Sequence, residues 1–275
     1  YRVLGDPNGK PFFFFHGTPG SRFVLVESDL IVKIPELKVI LPERPGYGVS
    51  DPQPNRTLLD WPKDVTALAD HLGIDQFAVG GGSGGGPHAL ACAHQWPERV
   101  VTTILLSSPS PAGFPGATRG MARGNRIGMF LGRYAPWLVS MMINGYQKKF
   151  REDPDGVIDA MSAEMAVPDR ELLKSAEFRA SILADMSEAY RQGVRGHVLD
   201  GYIAMTTRGW GFELRDIKVP VHAWHGELDT LVTKAMANRL DTEIPNCRVR
   251  YVKGAGHLLT ENVSVVDEVR HALGL

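Results

Sequence analysis

The 275-residue chain predicts an α/β fold, with a mostly parallel central sheet flanked by helices and a helical cap inserted between two strands. Three features carry that expectation. Short apolar runs of strand length alternate with stretches of helical spacing. Several of those runs end in turns bearing glycine, proline or histidine. The alternation breaks once, for a block of about one hundred residues without a convincing strand.

Residues 1–4 (YRVL) form a short strand candidate. Residues 11–15 (PFFFF) are apolar throughout and end at HGTPG, and 37–41 (LKVIL) end at PERPGYGVSD. Over 57–72, Leu58, Trp61, Val65, Leu68, Ala69 and Leu72 fall on one helical face, and Gly73 stops the run. A strand at 76–79 leads into a glycine cluster, 87–95 reads as a helix, and 101–106 as a buried strand ending at SSPSP. From 110 to 210 only helical stretches are legible, the clearest at 169–190. A strand at 219–224, ending at HGELD, restarts the pattern; helix 234–240, strand 248–252 and helix 262–273 complete it. The expected organisation is a core of 1–109 and 211–275 with a helical cap of 110–210. The chain opens at Tyr1 within a strand pattern, so further residues are expected upstream.

Composition narrows the function classes. Net charge is −1, which gives no electrostatic footprint for nucleic acid. No apolar run approaches the roughly 20 residues of a membrane helix. Cys92 and Cys247 are too few for a disulfide framework and read as core thiols in a reducing compartment, so a cytoplasmic location is expected.

The chemistry concentrates in AVGGGSGGGPHAL, residues 78–90. A flexible linker would join independent units, but this cluster sits between an apolar strand and an apolar helix. Gly80, Gly82 and Gly85 satisfy the dinucleotide pattern G-x-G-x-x-G. That site needs an acid at the end of the next strand, where the chain has Leu106, Ser107 and Ser108. The phosphate loop G-K-S/T is absent. What remains is G-x-S-x-G around Ser83, a strand–turn–helix arrangement that exposes a serine on a strained backbone. The helix behind it supplies a partial positive field.

A serine needs a base, and the base an orienting acid. Asp229 lies in HGELDTLV and His257 in KGAGHLLTEN, each just past a strand. With Ser83 they would share the carboxyl edge of the sheet, where open α/β sheets place their sites. Asp229 also suits a helix cap, and Glu227 is a rival acid. The backbone N–H of Gly84 is the expected oxyanion donor beside the nucleophile.

With these motifs in hand, the chain resembles the α/β-hydrolase superfamily, in its serine-nucleophile branch. HGTPG, ERPGYGVS, GGSGG, HGELD and GAGH occur in that order over 1–108 and 211–275; the middle block matches only in position. The resemblance implies a second oxyanion donor at the Thr18 N–H and a pocket bordered by Trp210 and Phe212. Trp137, Met141 and Leu258 are further candidates for substrate contacts. Glu43 departs from the Asp that relatives often carry before RPGYG, with little effect expected. An amino-terminal strand of the family is not seen.

The expected activity is hydrolysis of small to medium carboxylic esters through an acyl-enzyme, with no cofactor and a small ester-like substrate as partner. HGTPG and GGSGG also resemble proline iminopeptidases, which bind a free amino terminus through cap acids; Glu164, Glu171 and Glu177 are available. Lactone, thioester or carbon–carbon hydrolysis, cofactor-free perhydrolysis, and a non-catalytic ligand receptor stay open, as does a homodimer. His16 is expected to brace its loop. His222 with His225, and His88 with His94, are spaced against sharing one metal ion, so no metal is expected. Seven cations and no acid between 111 and 151 read as a solvated helical face.

Overall fold

The computed structural model describes residues 1–25, 28–205 and 209–275. Its strands are β1 (Arg2–Gly5), β2 (Lys10–Phe15), β3 (Leu37–Leu41), β4 (Phe77–Gly82), β5 (Val100–Leu106), β6 (Val221–Gly226) and β7 (Cys247–Val252). They form one sheet in the order β1-β3-β2-β4-β5-β6-β7. β1 pairs antiparallel with β3, and the other neighbours are parallel. The helices are α1 (Asp29–Lys33), α2 (Trp61–His71), α3 (Gly86–Gln95), α4 (Arg123–Tyr134), α5 (Pro136–Glu152), α6 (Pro154–Ala163), α7 (Val167–Leu172), α8 (Ala176–Ala189), α9 (Arg195–Met205), α10 (Lys234–Glu243) and α11 (Val263–Ala272).

The run FFFF explains why the sheet is covered twice. Successive side chains of a strand point to opposite faces. Phe13 and Phe15 join Trp61, Val65 and Ala69 of α2 and Ala89–Ala93 of α3 on one face. Phe12 and Phe14 join Leu30 of α1 and Val265, Val266 and Val269 of α11 on the other. All four rings are buried, each stabilising the fold by about 1.5–3 kcal/mol. A strand apolar on one face only would leave the second helical layer nothing to pack on.

Four elements differ from the sequence expectation. Residues Leu58–Asp60 form a 3₁₀ turn before α2, where Thr57 N–H and Oγ1 both donate to Asp60 Oδ2 at 2.8 Å. The single helix expected over 169–190 is two, because Ser175 caps α8 and its hydroxyl accepts the Phe178 N–H at 3.4 Å. The five-residue α1 has no capping side chain and was not anticipated. β4 continues past Val79 through Gly82: glycine has low strand propensity, yet these residues pair with Phe14, Phe15, Leu105 and Leu106 of the flanking strands.

Helices α4 to α9 lie between β5 and β6 in the chain. They bury a cluster of their own, including Val139, Ile143, Phe150, Val157, Ile158 and Met186, with Leu231 and Leu258 packed against it. Cys92 is buried and Cys247 partly buried, both as free thiols. Among the described residues, no helix is long and apolar enough to cross a membrane.

Candidate active site

β4 ends at Gly82, which pairs with Leu106 of β5, and Leu106 pairs with Trp224 of β6. Gly226 closes β6 opposite Val252 of β7. The loops that leave β4, β6 and β7 therefore emerge along one edge of the sheet. Ser83 begins the first of them with φ +50°, a left-handed conformation that costs a non-glycine residue about 1–3 kcal/mol. The turn is tight. A side chain at Gly81 would overlap the backbone of Gly85, and one at Gly85 would overlap the Phe15 carbonyl. Chain reversal straight from strand into the Ser83–Gly85 turn and α3 is what excludes larger neighbours there.

Asp229 serves two tasks with two oxygens. Its Oδ1 accepts the N–H groups of Leu231 and Val232 at 2.8 and 3.0 Å and so closes a turn, whereas the expected helix-capping role falls to Thr233, the N-cap of α10. Its Oδ2 lies 2.8 Å from His257 Nδ1. The rival Glu227 is exposed. Burial alone would raise the Asp229 carboxyl, but the facing His257 outweighs it and holds the group below its usual range. Burial opposes charging of His257, yet the Asp229 charge and hydrogen bond, with Asp169 behind them, raise its pKa above 6.5. Ionised Asp229 fixes Nδ1 as the protonated nitrogen of the neutral ring and leaves the Nε2 lone pair available.

The HGTPG loop packs against the serine turn. A methyl added to Gly84 would overlap the Thr18 side chain and lie 3.3 Å from the Thr18 nitrogen, so the two backbone N–H groups expected as oxyanion donors are neighbours. His16 is buried and braces the loop. Its Nε2 accepts the Arg44 N–H at 3.2 Å and its Nδ1 donates to Gly17 O at 2.8 Å. Burial and the nearby Arg44 keep it neutral, as that arrangement requires. The Arg44 guanidinium donates to the His16 and Gly17 carbonyls.

Arg44 is itself held by Asp200 of α9, Nε to Oδ2 at 2.7 Å, and Asp200 also pairs with Arg56. All three are buried. Burial would favour the neutral Asp200, but Arg44 and Arg56 depress its pKa strongly. His88, under the serine turn, is buried and neutral and bonds the Gly84 carbonyl at 3.0 Å. Glu43 matters more than expected. It is buried, accepts the Val49 N–H at 2.9 Å and pairs with Arg22 at 2.7 Å, which in turn reaches Glu188 of α8. Arg44 and Asp200 were not among the expected site residues, because isolated charges in loops and helices carry no signal of burial.

The expected pocket residues divide. Trp137 and Met141 are 65% and 63% exposed. Helix α5 turns Val139, Ile143 and Phe150 inward, so positions 137 and 141 face out at helical spacing. Trp210 is buried in the core beside Phe212, rings 5.9 Å apart, and Leu258 is partly buried against the inserted helices. A cavity of about 750 Å³ opens between the loop after β3 and helices α4, α5 and α9, lined by Pro45, Pro54, Val139, Ser140, Val194 and Leu199. Ser83, Asp229 and His257 do not line it. Among the described residues no cluster of histidine, cysteine or carboxylate side chains could hold a metal ion.

Residues 10–262 match the family model for the alpha/beta hydrolase fold. A pimeloyl-[acyl-carrier protein] methyl ester esterase of Aromatoleum aromaticum is 28% identical over 224 residues, 80% of each chain. A probable proline iminopeptidase of Leptolyngbya boryana is 34% identical over 108 residues, 38% of this chain and 33% of that one. The chain thus spans about a third of the length of such relatives. The esterase RhEst1 from Rhodococcus sp. ECU1013 superposes with a TM-score of 0.70 at 20% identity, covering 99% of this chain and 93% of the other, a likeness of fold. With the sheet order, the strained serine turn and the match over 10–262 agreeing, this chain belongs to the alpha/beta hydrolase fold family.

Proposed function

We propose that the protein is a serine hydrolase of small to medium uncharged carboxylic esters, with Ser83 as nucleophile, His257 as base and Asp229 as orienting acid. The observation that carries this reading is the 2.8 Å contact from His257 Nδ1 to a fully buried Asp229 carboxylate, on the same sheet edge as the strained Ser83. His257 Nε2 takes the hydroxyl proton as Ser83 Oγ attacks the ester carbonyl. The oxyanion is received by the N–H groups of Thr18 and Gly84, each contributing about a hundredfold to a thousandfold in rate. The imidazolium gives its proton to the leaving alkoxide, and the acyl group stays on Ser83. Water, deprotonated by the same histidine, then releases the acid. The reaction calls on no cofactor. Helices α4 to α9 read as a cap over this edge.

A second reading, an aminopeptidase for amino-terminal proline, is favoured by the match to proline iminopeptidases. It needs free acids facing the site to bind an ammonium group. Glu164, Glu171 and Glu177 are all exposed; Glu164 accepts the Gly124 N–H and Glu171 pairs with Lys174. That leaves the ester reading ahead. Turnover of p-nitrophenyl butyrate and of proline p-nitroanilide, by the parent and Ser83→Ala, separates the two. Ester cleavage lost in the variant is the expected result; anilide cleavage without ester cleavage would establish the aminopeptidase instead.

A further inference from the structure

The loop that carries His257 is held from outside the core. Asp169, on the first turn of α7 in the helical insertion, is 1% exposed. Its Oδ2 accepts the backbone N–H of His257 at 2.9 Å, and its Oδ1 accepts that of Leu258 at 2.9 Å. Both carboxylate oxygens are thus spent on two consecutive amides of the β7 loop, 88 and 89 residues away in sequence. The loop has the matching shape. A side chain at Gly256 would overlap the Asp169 carboxylate, and Gly256 has no positive φ that would otherwise demand glycine. Gly226, beneath it, approaches the Gly256 carbonyl so closely that a side chain there would also collide. The loop is therefore clamped between the end of β6 and one carboxylate of the insertion.

We infer that Asp169 is a positioning residue for His257: it fixes the backbone that aims the imidazole and sets a second negative charge behind the one on Asp229. This rests on the triad reading of the preceding section. The consequence is that the insertion does more than cover the site. Its displacement from the core would release the His257 backbone, so an armed base requires the insertion in place. The charged and titratable groups around the imidazole are Asp229 from the β6 loop, Asp169 from α7, and His225 of β6, whose Nε2 lies 3.8 Å from Asp229. His225 is buried and its pKa is lowered, first by burial, so the two carboxylates set the field.

Two variants remove the contact by different routes. Asp169→Asn deletes the charge and turns an amide toward one N–H. Gly256→Ala keeps the charge and pushes the carboxylate away. For each, kcat on p-nitrophenyl butyrate should fall about 10- to 100-fold, the usual cost of losing a group that orients a reacting one, with KM within about twofold. The double variant should be little worse than either single one, because both break one contact. The titration midpoint of His257, followed by histidine proton NMR, should fall in both variants. That readout needs no turnover, and a role confined to stability would not move it. A folded Asp169→Asn with the parent's His257 midpoint, or with parental kcat, overturns the inference. Failure of the parent itself to react with a fluorophosphonate would instead overturn the triad reading, which keeps the two outcomes apart.

Discussion

Asp229 and His257 shift each other's titration against the direction that burial alone would give. Burial favours a neutral acid and a neutral base, and their mutual contact overrides it in both. The proposed base must be neutral to accept the Ser83 proton, and its pKa is raised above 6.5. Activity on a neutral ester should therefore rise with pH, with the midpoint of the acid limb of kcat/KM above 6.5. A midpoint below that value would mean the Asp229 contact does not persist in solution. Asp229→Asn leaves the shape but reverses the preferred tautomer, so kcat should drop about 10⁴-fold with the fold intact. At the donor side, Gly84→Ala would drive a methyl into Thr18, and kcat should fall about 10²- to 10³-fold, with a loss of about 1–3 kcal/mol in stability from the overlap.

Elements of the insertion reach the core through buried carboxylates. Asp200 of α9 pairs with both Arg44 and Arg56, and Arg44 holds the carbonyls of His16 and Gly17. Asp200→Ala would leave two buried guanidinium groups unpaired and should cost about 3–5 kcal/mol in denaturant unfolding. Asp185 of α8 accepts Ser21 N–H and Oγ at 2.8 and 2.6 Å, and burial pushes its pKa up to about 7. The native state then keeps this proton where the unfolded chain, titrating near 3.8, has lost it. Its contribution to stability falls as pH rises from about 4 to about 7 and is level above that. Urea unfolding of the parent and Asp185→Asn across that window should give a difference that narrows with rising pH; a constant difference would contradict the assignment. These contacts were not legible beforehand. Short apolar runs announced the inner strands of the sheet, since burial on two faces needs apolar residues at nearly every position. A lone Asp on a helix looks the same whether it meets water or a buried arginine. On α5, Trp137 and Met141, expected at the substrate, are large, apolar and exposed, while Val139 and Ile143 are the ones buried.

For the molecule as a whole, the legible part of the site is the part that hangs on strand ends. Ser83, Asp229 and His257 each follow a strand, and parallel pairing of β4 to β7 brings those ends to one edge. The substrate pocket was not legible, because the sequence of α4 to α9 does not announce which apolar side chains turn inward. The proposed account rests above all on one chemical property, an activated Ser83. Intact mass after treatment with a small fluorophosphonate, for the parent beside Ser83→Ala, tests it directly. One adduct on the parent and none on the variant is the predicted result. A folded parent that takes up no adduct, or a variant labelled as well as the parent, would contradict it.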